Sequence, residues 1–332
     1  MPSAIGSQGD KAPGDTIISM SENDRIIAIA GGSGFIGRAI VRRLAATPGL
    51  GVRVLTRDPE KARARITGEG KAELADKIEF VAADVNHPSK LAKALAGADT
   101  IVNAVQFDGY PVENPRRGLT FSRVDYGGTV ALIAAAKRAS VANFIYISGA
   151  AADERSSNHA FRAKGRAERA LRASGLAFTI FRPSLVYGPE DRVVNGLASA
   201  LRTMPVMVVP GSGQQQLRPL FVDDLAACVA LAIGGRGRNG IFEIGGPDEM
   251  AFDDLVRLLM EITGRKRPLF HLSESMLRIA GAVAEKLPGA FFSRDAVAFL
   301  VGDNGCDIQP LVAEFHLKLT PARQGLAFLG RA

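Results

Sequence analysis

Residues 30–38 read AGGSGFIGR, directly after the apolar run Ile26-Ile27-Ala28-Ile29 and directly before a helix-like stretch. Gly31, Gly34 and Gly37 recur at every third residue. No other feature constrains the chain as much. The spacing suits a strand that turns sharply into a helix over a dinucleotide pyrophosphate. The first glycine allows the tight turn, the second lets backbone N–H groups approach phosphates, and the third lets the helix pack closely on the strand. Phe35, Ile36, Ile40, Val41 and Leu44 then follow at helical spacing. These flanks argue against an incidental glycine-rich turn. Gly31, Ser33, Gly34, Phe35, Ile36 and Gly37 are therefore the candidate phosphate-binding residues.

Apolar runs expected to form strands fall at 26–30, 52–56, 78–82, 100–105, 143–148 and 178–182. Helical patterns lie between them at 35–46, 89–96, 120–139 and 160–173. This alternation predicts an α/β fold, a doubly wound parallel (Rossmann) sheet with helices on both faces and ligands at the carboxyl ends of the strands. After residue 183 the pattern loosens into Gly/Pro-punctuated loops and helical stretches at 194–203, 222–233, 252–262 and 273–286. The expected organisation is a tail over 1–23 and a dinucleotide-binding domain over 24–183. A small, mostly helical C-terminal region over 184–332 completes the sheet and covers a substrate cleft. The stretch 273–286 is amphipathic, and packing on its own domain is favoured over a membrane or partner surface.

The second strand ends LTRDPEK. A dinucleotide domain usually has an acid there for the adenosine ribose. Here Thr56 holds the position, Arg57 follows, and Asp58 comes one residue late. Arg38 follows the last glycine. Two guanidinium groups suit a 2′-phosphate, so NADP is expected ahead of NAD, which stays possible. Asp84 and Val85 end the third strand beside the adenine, and Asn103, Ala104 and Val105 close the fourth beside the cofactor. Asn103 also suits a local backbone cap.

Composition excludes several classes. The chain has 332 residues, 47% of them hydrophobic, with a net charge of +7 and no Trp. The basic residues are dispersed and no basic-aromatic stripe occurs, so nucleic acid is not an expected partner. No apolar run reaches membrane-spanning length, and the first residues carry no secretory signal. Peripheral association with a membrane or a complex stays open. Met20 is a second candidate start. Cys228 and Cys306 form no disulfide framework, the four histidines have no ligand spacing, and no metal is expected. A cytoplasmic location is the simplest expectation.

The blocks GGSGFIG, LTRDPEK, AADV, RVDYGGTVALIAAAK, FIYISGA, FRAKGRAE, FRPSLVYGP and RPLFVDDLA occur in one order over about residues 25 to 265. In this the chain resembles the short-chain dehydrogenase/reductase superfamily, especially its extended and atypical branches. Those include nucleotide-sugar epimerases and dehydratases, NmrA-like proteins and the nucleotide-binding accessory subunit of respiratory complex I. The resemblance implies a Ser/Thr on the fifth strand and a Tyr-x-x-x-Lys pair on the next helix, with Tyr as acid/base and Lys bonding the nicotinamide ribose. It places Ser148 on the strand and Lys164 at the lysine, with Pro183 near the cofactor. Ala160 stands where the Tyr belongs, and Asp125 stands where extended members have Asn.

Two readings follow. In one, another group takes the acid/base role: His159, just before the vacant position, or Tyr110 in the loop after strand four. The protein is then an NADP(H)-dependent oxidoreductase or epimerase-like enzyme acting on an anionic small molecule. Arg218 would contact a diphosphate by the resemblance, and Arg182, Tyr187 and Asn195 are expected in the same pocket, with Arg116 and Arg117 as further cations. In the other reading the protein binds the cofactor without turning it over, as a sensor or accessory subunit.

Overall fold

A computed structural model of the chain describes residues 25–68, 74, 77–284, 294–302 and 304–331. The expectations for 1–23 and for Met20 lie outside these residues, as do positions 285 and 286 of the amphipathic stretch.

The apolar runs form β1 (Arg25–Ala30), β2 (Leu50–Thr56), β3 (Ile78–Ala82), β4 (Thr100–Asn103), β5 (Asn143–Ile147) and β6 (Ala177–Pro183). A further strand, β7 (Gly240–Ile244), extends the sheet beyond β6. The order is β7-β6-β5-β4-β1-β2-β3, and every pairing is parallel. β7 was not among the expected strands. Its five residues lie between two glycine-rich turns, and so short a run carries little periodicity. The strand expected over 100–105 stops at Asn103, whose Oδ1 accepts from the Val105 N–H at 3.1 Å and turns the chain.

Helices cover both faces, as right-handed crossovers require. α1 (Phe35–Ala45) and α2 (Pro59–Ile66) follow β1 and β2. α2 starts where Asp58 accepts from the Lys61 N–H at 3.0 Å and Pro59 presets the first turn. The expected helix 120–139 is divided into a π-helical turn, Phe121–Gly127, and α3 (Gly128–Arg138). α4 (His159–Arg172) is capped by Asn158, which accepts from the Ala160 and Phe161 N–H groups. The C-terminal region adds α5 (Val193–Thr203), α6 (Val222–Ile233), α7 (Phe252–Thr263) and α8 (Glu274–Ala284).

The pleat divides the core. Ile27, Ile29, Val52, Val54 and Ile145 point to one face and pack with Ile40, Val41 and Leu44 of α1 and Leu225 and Val229 of α6. Ala28, Ala30, Ile101, Phe144 and Ile180 point to the other and pack with Leu132 of α3 and Leu171 of α4. A separate cluster around Leu185, Tyr187, Leu201 and Leu255 holds the C-terminal region together. The sheet order reverses direction between β1 and β4, and there the strand ends splay to leave a crevice.

Candidate functional site

A cleft of about 720 Å³ opens at the carboxyl ends of β1 to β4. Gly31, Ser33, Gly34, Phe35, Ile36 and Gly37 line it, with Ala104 and Val105 opposite. Gly31 has φ +80°, and a Cβ there would lie 2.4 Å from the Ala104 carbonyl oxygen. A Cβ at Gly37 would lie 2.1 Å from the Gly31 carbonyl oxygen. These two glycines are thus required by the turn itself. A Cβ at Gly34 meets only the Gly31 oxygen, at 3.2 Å, so the fold tolerates one there more readily. Gly34 caps α1 with no side-chain bond, and the first turn of α1 holds no acid. That leaves first-turn N–H groups for an anion, with the helix dipole adding favourable charge. This arrangement fits a pyrophosphate.

Beyond the turn, Arg57, Lys61 and Arg65 line the cleft beside Thr56 and Asp58. The three cations lie four residues apart, which places them on one side of α2 and the loop before it. Asp58 spends its carboxylate on the Lys61 N–H, as the cap of α2. Arg57 reaches across the mouth to Asp108 at 2.5 Å, and both side chains are exposed. Asp84 and Val85 also line this end. Asp84 accepts from the Asn86 N–H and faces His87 Nδ1 at 3.1 Å.

Arg38 is placed differently from expectation. It does not line the cleft. Its Nη1 donates to the Ser33 carbonyl at 3.0 Å, and its Nε to Glu190 at 2.8 Å. Arg42 shares Glu190 at 3.0 Å. Arg38 therefore braces the glycine turn from behind. Asn103 is buried as well, donating to Thr129 Oγ1 at 2.9 Å. It shapes the turn after β4.

Along β5 and α4, outside the cleft lining, stands Lys164. This lysine is half-buried, with Nζ 5.9 Å from the centre of the Tyr146 ring. Burial lowers its pKa, while Asp125 and Glu168 act to raise it. Ser148 is buried and donates to Glu168 Oε1 at 2.6 Å. Arg182 grips the same carboxylate through Nε at 3.0 Å and Nη2 at 2.6 Å. The Ser148 hydroxyl and the Arg182 guanidinium are thus committed to Glu168 inside the protein.

Ala160, at the vacated tyrosine position, is 6% exposed. It belongs to an apolar cluster with Phe107, Leu119, Phe121, Val124 and Ala163, and Tyr110 and Phe161 pack against that cluster. Tyr110 and Phe121 meet edge to face at 5.8 Å, so Tyr110 is part of an aromatic wall. His159 is 55% exposed, with Nδ1 3.6 Å from Glu113 Oε2.

The expected substrate residues are dispersed. Tyr187 is fully buried in the C-terminal core, away from the cleft lining. Asn195 donates to the Gly188 and Asp191 carbonyls and to Asp191 Oδ2, fastening the loop before α5. Arg218 pairs with Glu249 at 2.6 Å. Arg116 and Arg117 sit in an exposed turn outside the lining. Asp224, in the first turn of α6, accepts from the Thr320 N–H and hydroxyl. Pro183 is buried at the end of β6 and does not line the cleft. Among the described residues no cluster has the composition of a metal site, and no helix is long and apolar enough to cross a membrane.

The side chains that sequence reasoning missed include Lys61, Arg65 and Arg192, and the wall residues Phe107, Leu119 and Val124. Lys61 and Arg65 carried a signal, their spacing from Arg57. Arg192, which reaches the cleft from the start of α5, carried none.

The family profile for NAD(P)H binding matches residues 31–199. The chain is an atypical short-chain dehydrogenase/reductase. It belongs to the NAD(P)H-binding, oxidoreductase- and epimerase-like family. A ceramide reductase of Caulobacter vibrioides is 30% identical over 263 residues, 78% of this chain and 77% of that protein. The mitochondrial NADH-ubiquinone oxidoreductase 40 kDa subunit of Neurospora crassa is 27% identical, over 81% of this chain and 68% of that protein. The NADPH-dependent quinone oxidoreductase QOR2 of Escherichia coli, solved with NADPH, shares the fold. Its TM-score is 0.71 at 20% identity, covering 91% of this chain and 99% of that one.

Proposed function

We propose that this atypical dehydrogenase/reductase is an NADPH-preferring reductase of a carbonyl compound with an apolar body. The cleft carries the reading, because its two ends differ in chemistry. One end has a backbone cradle and three cations beside an aspartate already used as a helix cap. A ribose 2′-phosphate suits those cations, while a bare 2′-hydroxyl finds no free acid at Asp58 to accept its hydrogen bond. The other end has Phe107, Leu119 and Val124 in the cleft wall. An anionic substrate was the expectation, but Arg182 and Arg218, which were to bind it, are both paired with protein carboxylates. The apolar wall suits a lipid-like carbonyl better, and one relative is named for reducing ceramide.

When bound, the reduced cofactor supplies a hydride. The chain's own part is to hold the phosphates at the α1 N-terminus, to exclude water with the aromatic wall and to place Lys164 near the reacting oxygen. A second reading, an NADPH-binding accessory protein without turnover, is favoured by the enclosed position of Ala160 and by the resemblance to a respiratory subunit. The test is calorimetry with NADPH and NADH, followed by NADPH oxidation over carbonyls of rising chain length. The reductase reading expects at least tenfold tighter NADPH binding and turnover that rises with chain length. Arg57→Ala should weaken NADPH about tenfold and leave NADH unchanged, since charge-assisted bonds contribute roughly 1.5–3 kcal/mol. Tight NADPH binding with no turnover on any carbonyl would establish the accessory reading instead.

A further inference from the structure

Among the described residues beyond β6, Arg192 alone lines the cleft. It stands just before α5 and is exposed. Among the described residues no hydrogen bond or ion pair holds its guanidinium. Other arginines of the chain are engaged. Arg38 and Arg42 hold Glu190, Arg57 holds Asp108, Arg182 holds Glu168 and Arg218 holds Glu249. The cleft already carries Arg57, Lys61 and Arg65. A further unpaired cation raises its positive potential, which an anionic ligand relieves.

The loop that carries Arg192 is fixed along one side of α1. The backbone at Gly188 passes so close to Phe35 that a Cβ there would lie 3.3 Å from its ring. Glu190 takes Arg38 at 2.8 Å and Arg42 at 3.0 Å. Phe35, Arg38 and Arg42 follow at intervals of three and four residues, so they share one side of the helix. Asp191 locks the loop from within: Oδ2 accepts from the Gly188 N–H at 3.1 Å and Oδ1 from the Val194 N–H at 2.7 Å. Glu190 and Asp191 do not line the cleft, whereas Arg192 lines it together with Ser33, Gly34 and Phe35. The first turn of α1 offers N–H groups and no acid. Its Arg38 is engaged with Ser33 and Glu190.

We propose that Arg192 clamps the cofactor's pyrophosphate against the N-terminus of α1. This rests on the reading of the cleft as a dinucleotide site. A pyrophosphate diester carries two negative charges. The glycine turn meets them with hydrogen bonds and with about half a unit charge of helix dipole. The remaining charge suits a cation, and a guanidinium fork matches two phosphate oxygens at once. The loop of Arg192 is held by α1, whereas Arg57, Lys61 and Arg65 stand on α2 and the loop before it. The two sets of cations therefore meet different phosphates, Arg192 the pyrophosphate and the α2 set the 2′-phosphate. Arg192 then contributes affinity to NADPH and NADH alike, without preference between them. The phosphate site becomes a joint product of the chain's two parts, a glycine turn from before β2 and a cation from beyond β6.

The test is calorimetry on the full chain with NADPH, NADH and two fragments that separate the phosphates. ADP-ribose has the pyrophosphate and no 2′-phosphate; adenosine 2′-monophosphate has the reverse. Arg192→Ala should weaken ADP-ribose, NADH and NADPH by one common factor of about tenfold or more, and leave adenosine 2′-monophosphate within about twofold. Arg57→Ala should do the opposite, weakening adenosine 2′-monophosphate and sparing ADP-ribose. Arg192→Lys keeps the charge without the fork and should recover part of the loss. The unliganded Arg192→Ala protein should melt within about 2 °C of the parent, because the side chain holds no protein group. An ADP-ribose Kd in Arg192→Ala within twofold of the parent's would overturn the proposal. A loss confined to NADPH and adenosine 2′-monophosphate would overturn it too, by giving Arg192 to the 2′-phosphate. A parent that binds neither NADPH nor ADP-ribose would refute the dinucleotide reading and the clamp together. A parent that binds both, with Arg192→Ala unchanged, would refute the clamp alone.

Discussion

At the end of the cleft under β1 and β2 the chain offers backbone N–H groups and a row of cations. Beside β5 and α4, outside the cleft lining, it offers side chains that are mostly bound to one another. The first end is left open for a ligand: Gly34 leaves the α1 terminus bare, and Arg57 holds only an exposed pair with Asp108. The second is knotted, with Ser148 and Arg182 both on Glu168. Binding surfaces built from backbone are fixed by glycine geometry, whereas chemistry built from side chains can be rewired by a few substitutions. The contrast explains why cofactor binding persists in this chain while the usual acid/base has gone.

The glycines give the sharpest break. Gly37→Val places a branched side chain against the Gly31 carbonyl, 2.1 Å from its first atom, and should leave no cooperative thermal transition. Gly34→Val should keep the fold, with a Tm within a few degrees, and weaken NADPH by about a hundredfold or more, since its side chain enters the phosphate site. Circular dichroism and fluorescence titration separate the two outcomes. Equal loss of fold in both variants would mean that position 34 serves the turn and not the ligand.

At the knotted end, Glu168→Gln should cost about 3 kcal/mol in urea unfolding, because Arg182 and Ser148 lose a shared, fully buried carboxylate. NADPH affinity should change less than threefold. A larger loss of affinity would show that the knot reaches the cofactor.

Asp125 is 2% exposed, and its burial predicts a pH signature. Its folded pKa of about 7 exceeds the ordinary 3.8, so the folded state holds the proton more tightly. Its contribution is fully present below pH 3.8 and is lost as pH rises to about 7. Asp125→Asn should therefore gain stability relative to the parent between pH 5 and pH 8, by at most about 4 kcal/mol. Parallel stability curves for the two proteins would refute the assignment.

The smallest expected effect is at Ala160. Restoring a tyrosine there would appear to complete the usual pair with Lys164. The position is enclosed by Phe107, Phe121 and their neighbours, so Ala160→Tyr should instead destabilise by about 1–3 kcal/mol through overpacking. A variant with unchanged Tm and new carbonyl reduction would show that the wall yields readily.

The same contrast governs what the sequence makes legible. Gly31, Gly34 and Gly37 announce their turn because only one residue type satisfies the backbone there. The six strands of apolar residues announce themselves because parallel strands are buried on both faces. Arg38 misled because proximity in sequence to the glycines says nothing about which way a guanidinium points. Tyr187 misled because a polar tip is no guide to burial when the ring fills a core. Asp125 was visible as a departure from asparagine. That neither of its carboxylate oxygens has a hydrogen-bond partner is a property of the π turn and of α4, which meet only in the folded chain.

α1 follows directly from the first strand, yet its apolar face is covered by α6, in one cluster with Leu225 and Val229. Arg38 and Arg42 are held by Glu190, also from beyond β6. β7 then closes the edge of β6 from later still. During synthesis, the dinucleotide half therefore waits for the rest of the chain. A product released at residue 183 would present Ile40, Val41 and Leu44 to water and leave the glycine turn without its brace. Such a fragment should aggregate and fail to bind nucleotide, and the full chain should melt in a single step.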